Sequence, residues 1–239
     1  MQFLTLTLIK LFVLLNIVTN AEWANWRGPN MDGSSSAKNV PIKFSQTENI
    51  RWSIDMTGKA ASTPIISGGK VFITTTDKAK KELLAVAYDL KSGKEQWSEV
   101  VGKGLNQDNR SNYAGASPVS DGKHVVFFYG TGDMAVFSHD GKLRWKKNIQ
   151  EEYGKFYFLW TFSSSPIIHD GKIILQVLQR DTPVHPAQQG GGKQSSYILA
   201  LSLDEGKEIY KTPRPDEAKS ESKEAFSTPE MFMVLSDGG

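Results

Sequence analysis

Asp181 and His185 lie four residues apart, with His169 upstream, and form the nearest approach to a metal or acid–base set. On a helix that spacing would share a face, but Pro183 and Pro186 make the segment a loop. No second close His or carboxylate completes a ligand set there, so a solvated loop is expected. Gly190-Gly191-Gly192-Lys193 matches a phosphate loop only in part. Ala187 stands where the first Gly belongs, and Gln194 where a Ser or Thr must meet magnesium. A flexible hairpin tip is the reading. The serines include no Gly-x-Ser-x-Gly elbow. His124 and His139 sit beside turns and strands, where surface or core roles are expected. The absence of Cys excludes disulfides, thiolate catalysis, Cys-based zinc sites and lipidation on an N-terminal Cys. No catalytic residue and no metal set is assigned.

Binding chemistry is better supplied. Tyr153, Phe156, Tyr157, Phe158, Trp160 and Phe162 crowd the insert Glu151 to Phe162. Two uses stay open: a stacking platform for a sugar, quinone or peptide, or packing between repeats, since aromatics supply the largest buried area. Tyr113 and Trp160 precede two equivalent prolines by similar distances, and Arg110 lies close to the first. Arg110, Tyr113 and Trp160 are the ligand-binding candidates. Trp26 and Arg27 offer a further ligand option beside a packing role. Asn109-Arg110-Ser111 fits a glycosylation sequon and is read as a chance match.

The elements that must position these residues are repeats. Asp89-Leu90-Lys91-Ser92-Gly93-Lys94-Glu95-Gln96-Trp97 reads as a strand end, a tight turn and a second strand. Asp89 can accept from turn amides, and Gly93 can take the positive φ that closure needs. Ser138 to Trp145, with Gly141, is a shortened copy; Ser202 to Tyr210, with Gly206, carries Tyr in the Trp place. Trp52 looks like an orphan final strand, Ile50 to Ile54. A second marker, ending at Pro64, Pro118, Pro166 and Pro229, recurs roughly every 50–60 residues, the period of solenoids, propellers or arrays. Between the markers run Val71-Phe72-Ile73, Val125 to Tyr129 and Ile173 to Leu178, apolar on both faces. A half-exposed antiparallel strand alternates instead. Sheets that cover one another on both sides are propeller blades; a two-layer sandwich would leave outer faces wet. The expected fold is all-β: a partial propeller of four-stranded antiparallel blades, about three and a fragment of a fourth. In each, the first strand carries the proline, the third ends at Asp89, Ser138 or Ser202, and the fourth carries Trp97, Trp145 or Tyr210. No sustained helical period occurs outside the leader.

That leader is Met1 to Ala21. Lys10 precedes the apolar run Leu11 to Val18, and Thr19-Asn20-Ala21 suits cleavage before Glu22. An uncleaved anchor is the alternative, but Lys10 and Asn16 interrupt a run already short of the ~20 residues a span needs. The expected organisation is a signal peptide at 1–21, a strap at 22–49 and repeats over 50–239. With 28 basic and 26 acidic residues, the net charge of +2 gives no footprint for nucleic acid. The expected partner is an envelope protein or small molecule. The expected location is periplasmic or secreted, with no membrane span after cleavage and a monomer at full length.

Asp89, Gly93-Lys94 and Trp97, with the preceding proline and Gly-Lys strand pair, resemble the pyrroloquinoline-quinone-like (PQQ-like) β-propeller repeat. Trp23-Ala24-Asn25-Trp26-Arg27-Gly28-Pro29-Asn30-Met31-Asp32-Gly33 resembles the opening of secreted bacterial members. The similarity runs from about Trp23 to the C-terminus. It implies a propeller, with activities ranging from quinoprotein dehydrogenases, which use PQQ with calcium, to the lipoprotein scaffold of outer-membrane barrel assembly. Tyr210, Ser202 and the short Ser138 turn depart from the pattern. The dehydrogenases carry adjacent cysteines near the cofactor and the scaffold a lipidated Cys; this chain has neither. The resemblance therefore implies a binding or protein-interaction scaffold, with a PQQ-dependent oxidoreductase and a carbohydrate-binding propeller as alternatives. A ring of about six to eight blades needs roughly 300 to 400 residues. The chain is thus expected to be a fragment, ending in mid-hairpin at Ser236 to Gly239, with Ile50 to Ile54 closing the ring.

Overall fold

The computed structural model describes residues 22–106, 108–214 and 217–231. The leader and Ser236 to Gly239 lie outside them. Among the described residues, twelve strands form three antiparallel sheets, each a meander in sequence order. The first blade holds β1 (Ile65–Ser67), β2 (Lys70–Asp77), β3 (Glu82–Asp89) and β4 (Glu95–Lys103). The second holds β5 (Val119–Ser120), β6 (His124–Phe128), β7 (Asp133–Ser138) and β8 (Leu143–Asn148). The third holds β9 (Ile167–His169), β10 (Lys172–Val177), β11 (Tyr197–Ser202) and β12 (Glu208–Pro213).

The middle blade's apolar run is continuous because that blade has a neighbour on each face. In the middle blade, Val125, Phe127 and Tyr129 meet Phe72, Leu83 and Ala85 of the first. Their alternates Val126 and Phe128 meet Ile173, Leu175 and Leu199 of the third. A strand's period of two thus serves two cores. Each third strand breaks register with the fourth near its end, between Ala87 and Tyr88, Val136 and Phe137, and Ala200 and Leu201. The residues paired just before the break are Trp97, Trp145 and Tyr210.

The tryptophans dock onto the following repeat. Trp97 Nε1 donates to His139 O at 3.0 Å, and Trp145 Nε1 to Leu203 O at 2.7 Å. Trp52 Nε1 does the same to Leu90 O at 3.0 Å. Under each ring lies the turn glycine: Gly93 beneath Trp52, Gly141 beneath Trp97, Gly206 beneath Trp145. A Cβ at Gly141 would sit 2.7 Å from the Trp97 ring, so φ of +87° is only half the reason for glycine there.

A second tie runs just before the first strand of each blade. Thr63 N donates to Ser117 Oγ at 2.9 Å, and Ser117 N to Ser165 Oγ at 2.9 Å. The proline markers therefore join one blade to the next. The strap lies against the same strands: Trp23 bridges Ile66, and Ala24 O accepts from Ser120 N at 2.8 Å. Met31 reaches Ile167, Ile174 and Ala200 on the third blade.

One expectation needs correction. Ile50 to Ile54 is not a strand; among the described residues no strand pairs with it, and Ile54 instead packs against Leu84, Val86 and Tyr88. One short helix, α1 (Ile149–Tyr153), follows β8, capped by Asn148, whose Oδ1 accepts from Gln150 N at 2.9 Å.

Candidate functional site

An antiparallel meander puts alternate connections at opposite ends. The β1–β2 and β3–β4 turns share one end; the long inserts after β4, β8 and β10 share the other. Loops gathered at one end of a rigid scaffold are where binding residues concentrate.

Asp108 organises that end. Its Oδ1 accepts from Arg110 N at 2.6 Å and Ser111 N at 2.8 Å, closing a turn, while Oδ2 accepts from Thr161 N of the next insert. Burial works to raise its pKa, but these three amides override it and hold the carboxyl below its usual range. Asn106 Nδ2 adds a bond to Thr161 Oγ1 at 3.0 Å. The pinned loops bring the Arg110 guanidinium over the Trp160 ring, 5.2 Å from its centroid. Trp160 Nε1 donates to Glu221 Oε1 at 3.3 Å.

A cleft of about 700 Å³ opens beside this pair, lined by Tyr113, Trp160, Phe156, Phe158, Gln150 and Gln188 among others. On the other side of the Asp108–Asn112 loop lies a second, of about 610 Å³, with Arg110 and Lys59 in its wall. Most polar side chains of the larger cleft are spent on the fold. Gln150 bonds Thr131 O at 2.7 Å and Phe156 N at 2.8 Å; Gln188 bonds Phe158 O at 2.9 Å; His185 Nε2 meets Leu159 O at 2.8 Å. What remains is aromatic surface and the Tyr113 hydroxyl, whose pKa burial raises, with exposed Arg110 at the edge over Trp160.

The structure therefore brings the three candidates to one place: Arg110 and Trp160 in contact, Tyr113 in the same cleft as Trp160. Within the insert, Phe156, Tyr157, Phe158 and Phe162 are buried, and Phe158 stacks on Phe162 with centroids 4.6 Å apart. That is packing, and Phe156, Phe158 and Phe162 also line the cleft behind half-buried Trp160. Asp108 and Gln150 are absent from the sequence reading. Asp followed three residues later by Ser is an Asx-turn signal that points to the first; nothing local marks the second. Asp181 and His185 do not act together: Asp181 lies 3.5 Å from Lys223, and His185 is held by Leu159 O. Trp26 carries Arg27 at 4.9 Å, and Arg27 pairs with Glu230 at 3.5 Å.

A quinone cofactor with calcium needs several oxygen ligands converging on the metal. Among the described residues no group of three His, Cys, Asp or Glu converges in that way. Asp108, the carboxylate common to both clefts, is saturated by backbone amides. These residues do not fit that group, and no redox step is derived through it.

Residues 36–191 match a family model described as outer membrane protein assembly factor BamB. A comparison with curated proteins returned no match. Among solved structures, a europium-containing methanol dehydrogenase aligns at 14% identity and a TM-score of 0.47, over 68% of this chain and 26% of that one. BamB from Moraxella catarrhalis aligns at 15% identity and 0.38, over 68% and 51% respectively. A quinohemoprotein alcohol dehydrogenase from Comamonas testosteroni aligns at 17% and 0.40, over 66% and 21%. The chain thus spans about half of BamB from Moraxella catarrhalis and about a quarter or less of the two dehydrogenases.

Proposed function

We propose that this chain, which belongs to the PQQ-like repeat family described as outer membrane protein assembly factor BamB, is a non-catalytic binding scaffold working outside the cytoplasm. Its ligand is an envelope protein segment or small molecule, taken at the Arg110–Trp160 edge of the large cleft. One observation carries this reading. The cleft's hydrogen-bonding side chains are mostly committed to loop structure, leaving an aromatic wall with Arg110 at its edge, a cation with no acidic partner among the described residues. Such a surface recognises shape, aromatic groups and negative charge; it holds no base poised to move a proton. The location rests on the leader, Met1 to Ala21. Arg110 covers the Trp160 face on which a sugar ring would stack, which favours a protein or anionic ligand over a carbohydrate.

Pull-down from envelope extracts tests this, comparing the native chain with R110A and W160A. Recovery of a partner by the native chain and its loss from both variants is expected. No partner, or one retained equally by all three, would refute the scaffold reading.

A further inference from the structure

The Gly190–Lys193 loop fails as a nucleotide loop, yet the fold gives its lysine cationic company. The loop is tied down: Tyr157 OH donates to Gly192 O at 2.9 Å, and Gln194 N to Asp181 O at 3.0 Å. Beside it lies a recess of about 180 Å³ lined by Lys193, Arg214 and Lys223, with Asp181 and Ser195. Its floor is buried and hydrogen-bonded. Gln179 N donates to Ser196 Oγ at 2.9 Å, Ser196 Oγ to Gln179 O at 3.0 Å, and Gln179 Nε2 to Ser195 O at 3.1 Å.

The three cations come from three separate segments: the glycine loop, the residue after β12, and the 3-10 turn Ser220–Lys223. They face one carboxylate. Asp181 lies 3.5 Å from Lys223; Lys193 and Arg214 have no acidic partner among the described residues. Like charges held together repel, and an anion between them relieves this while accepting charge-assisted hydrogen bonds. The volume falls below the range of about 300–1,000 Å³ typical of organic ligands, so the recess suits a small ion with its water.

We propose that this recess binds a phosphate-class oxyanion. Lys193 and Arg214 supply charge and donors, and Lys223 is shared with Asp181. Asp181 accepts from a protonated phosphate oxygen, a donor that sulfate lacks near neutral pH.

Titration of the full chain with inorganic phosphate at constant ionic strength, followed by calorimetry, tests the site. Saturable binding is expected, weaker by at least about tenfold in K193Q and in R214Q, the loss of one charge-assisted bond. K123Q, which removes the same charge from the β5–β6 turn, should bind as the native chain does. Sulfate should bind less tightly than phosphate, and D181N should narrow that difference. Phosphatidylglycerol vesicles distinguish a headgroup from the free ion: any binding to them should be displaced by phosphate. No saturable response, an equal loss in K123Q, equal affinity for sulfate, or vesicle binding without phosphate binding would overturn the proposal.

Discussion

At Gly141 a single added carbon decides whether two blades fit. The position has φ of +87°, and a Cβ would meet Trp97 at 2.7 Å. Gly122 has φ of +91° and nothing within 4 Å. G122A therefore isolates the backbone cost, about 1–2 kcal/mol. G141A should cost roughly 1–3 kcal/mol more, because the ring must leave its seat. Urea unfolding of the two variants measures the difference; equal losses would mean the ring has room to move. Arg110 is the opposite case. It is exposed and its guanidinium lies over the Trp160 face, so R110A should lower stability by no more than about 1 kcal/mol while abolishing partner capture. Turn chemistry at Asp89 and Gly93 is legible because it is local: Asp89 Oδ1 accepts from Ser92 N at 2.7 Å, and Gly93 has φ of +70°. The destination of Trp97 is not, since His139 lies 42 positions away. Nothing in a repeat says whether its anchor serves itself or its neighbour. For the same reason Arg110 and Trp160 are readable as candidates only one by one. The link between them, Asp108 to Thr161, spans two inserts.

At the scale of elements, the proline markers act as a ladder of hydroxyls. Ser165 and Ser117 are both buried, so S165A strands the Ser117 amide without its acceptor. A loss of roughly 1–3 kcal/mol follows from an unpaired buried donor, checked by chemical denaturation; a neutral S165A would show that water replaces the hydroxyl. The junction of the first two blades also carries a pH response. His139 Nε2 lies 2.8 Å from Ser120 Oγ, and its ring is 5.0 Å from that of Phe72. Burial and then Lys70 lower its pKa from 6.5, against the pull of Asp121 and Glu22. Above 6.5 neither state binds the proton and stability is unaffected. Below it the unfolded chain protonates first, so stability falls with pH until the folded imidazole also titrates. The slope of urea midpoint against pH just below 6.5 should diminish in H139Q; an unchanged slope would assign it elsewhere. Strand limits are legible because β3, β7 and β11 end where the repeat places them. Ile50 to Ile54 has strand composition but no strand beside it, and a ladder needs two. The α1 helix is five residues long, too short for a helical period. Its one signal is Asn148 with Glu151 three residues on.

At the scale of the whole molecule, each blade holds itself by backbone ladders and its neighbours by side chains: aromatic cores, docked tryptophans and marker hydroxyls. Stability in such a stack is a sum over neighbours. The long loops then form one end on which Trp160, from the insert after β8, meets Arg110 and Tyr113 from the insert after β4. If cohesion runs from one blade to the next, removing an anchor should be felt across the boundary. Hydrogen exchange on W145A reads this directly. Loss of protection is predicted at the turn amides of the third blade, Leu203 and Gly206, which bond Gly171 O and Ser202 O, while β7 keeps its own. Loss confined to β7 and β8, with that turn unchanged, would contradict it.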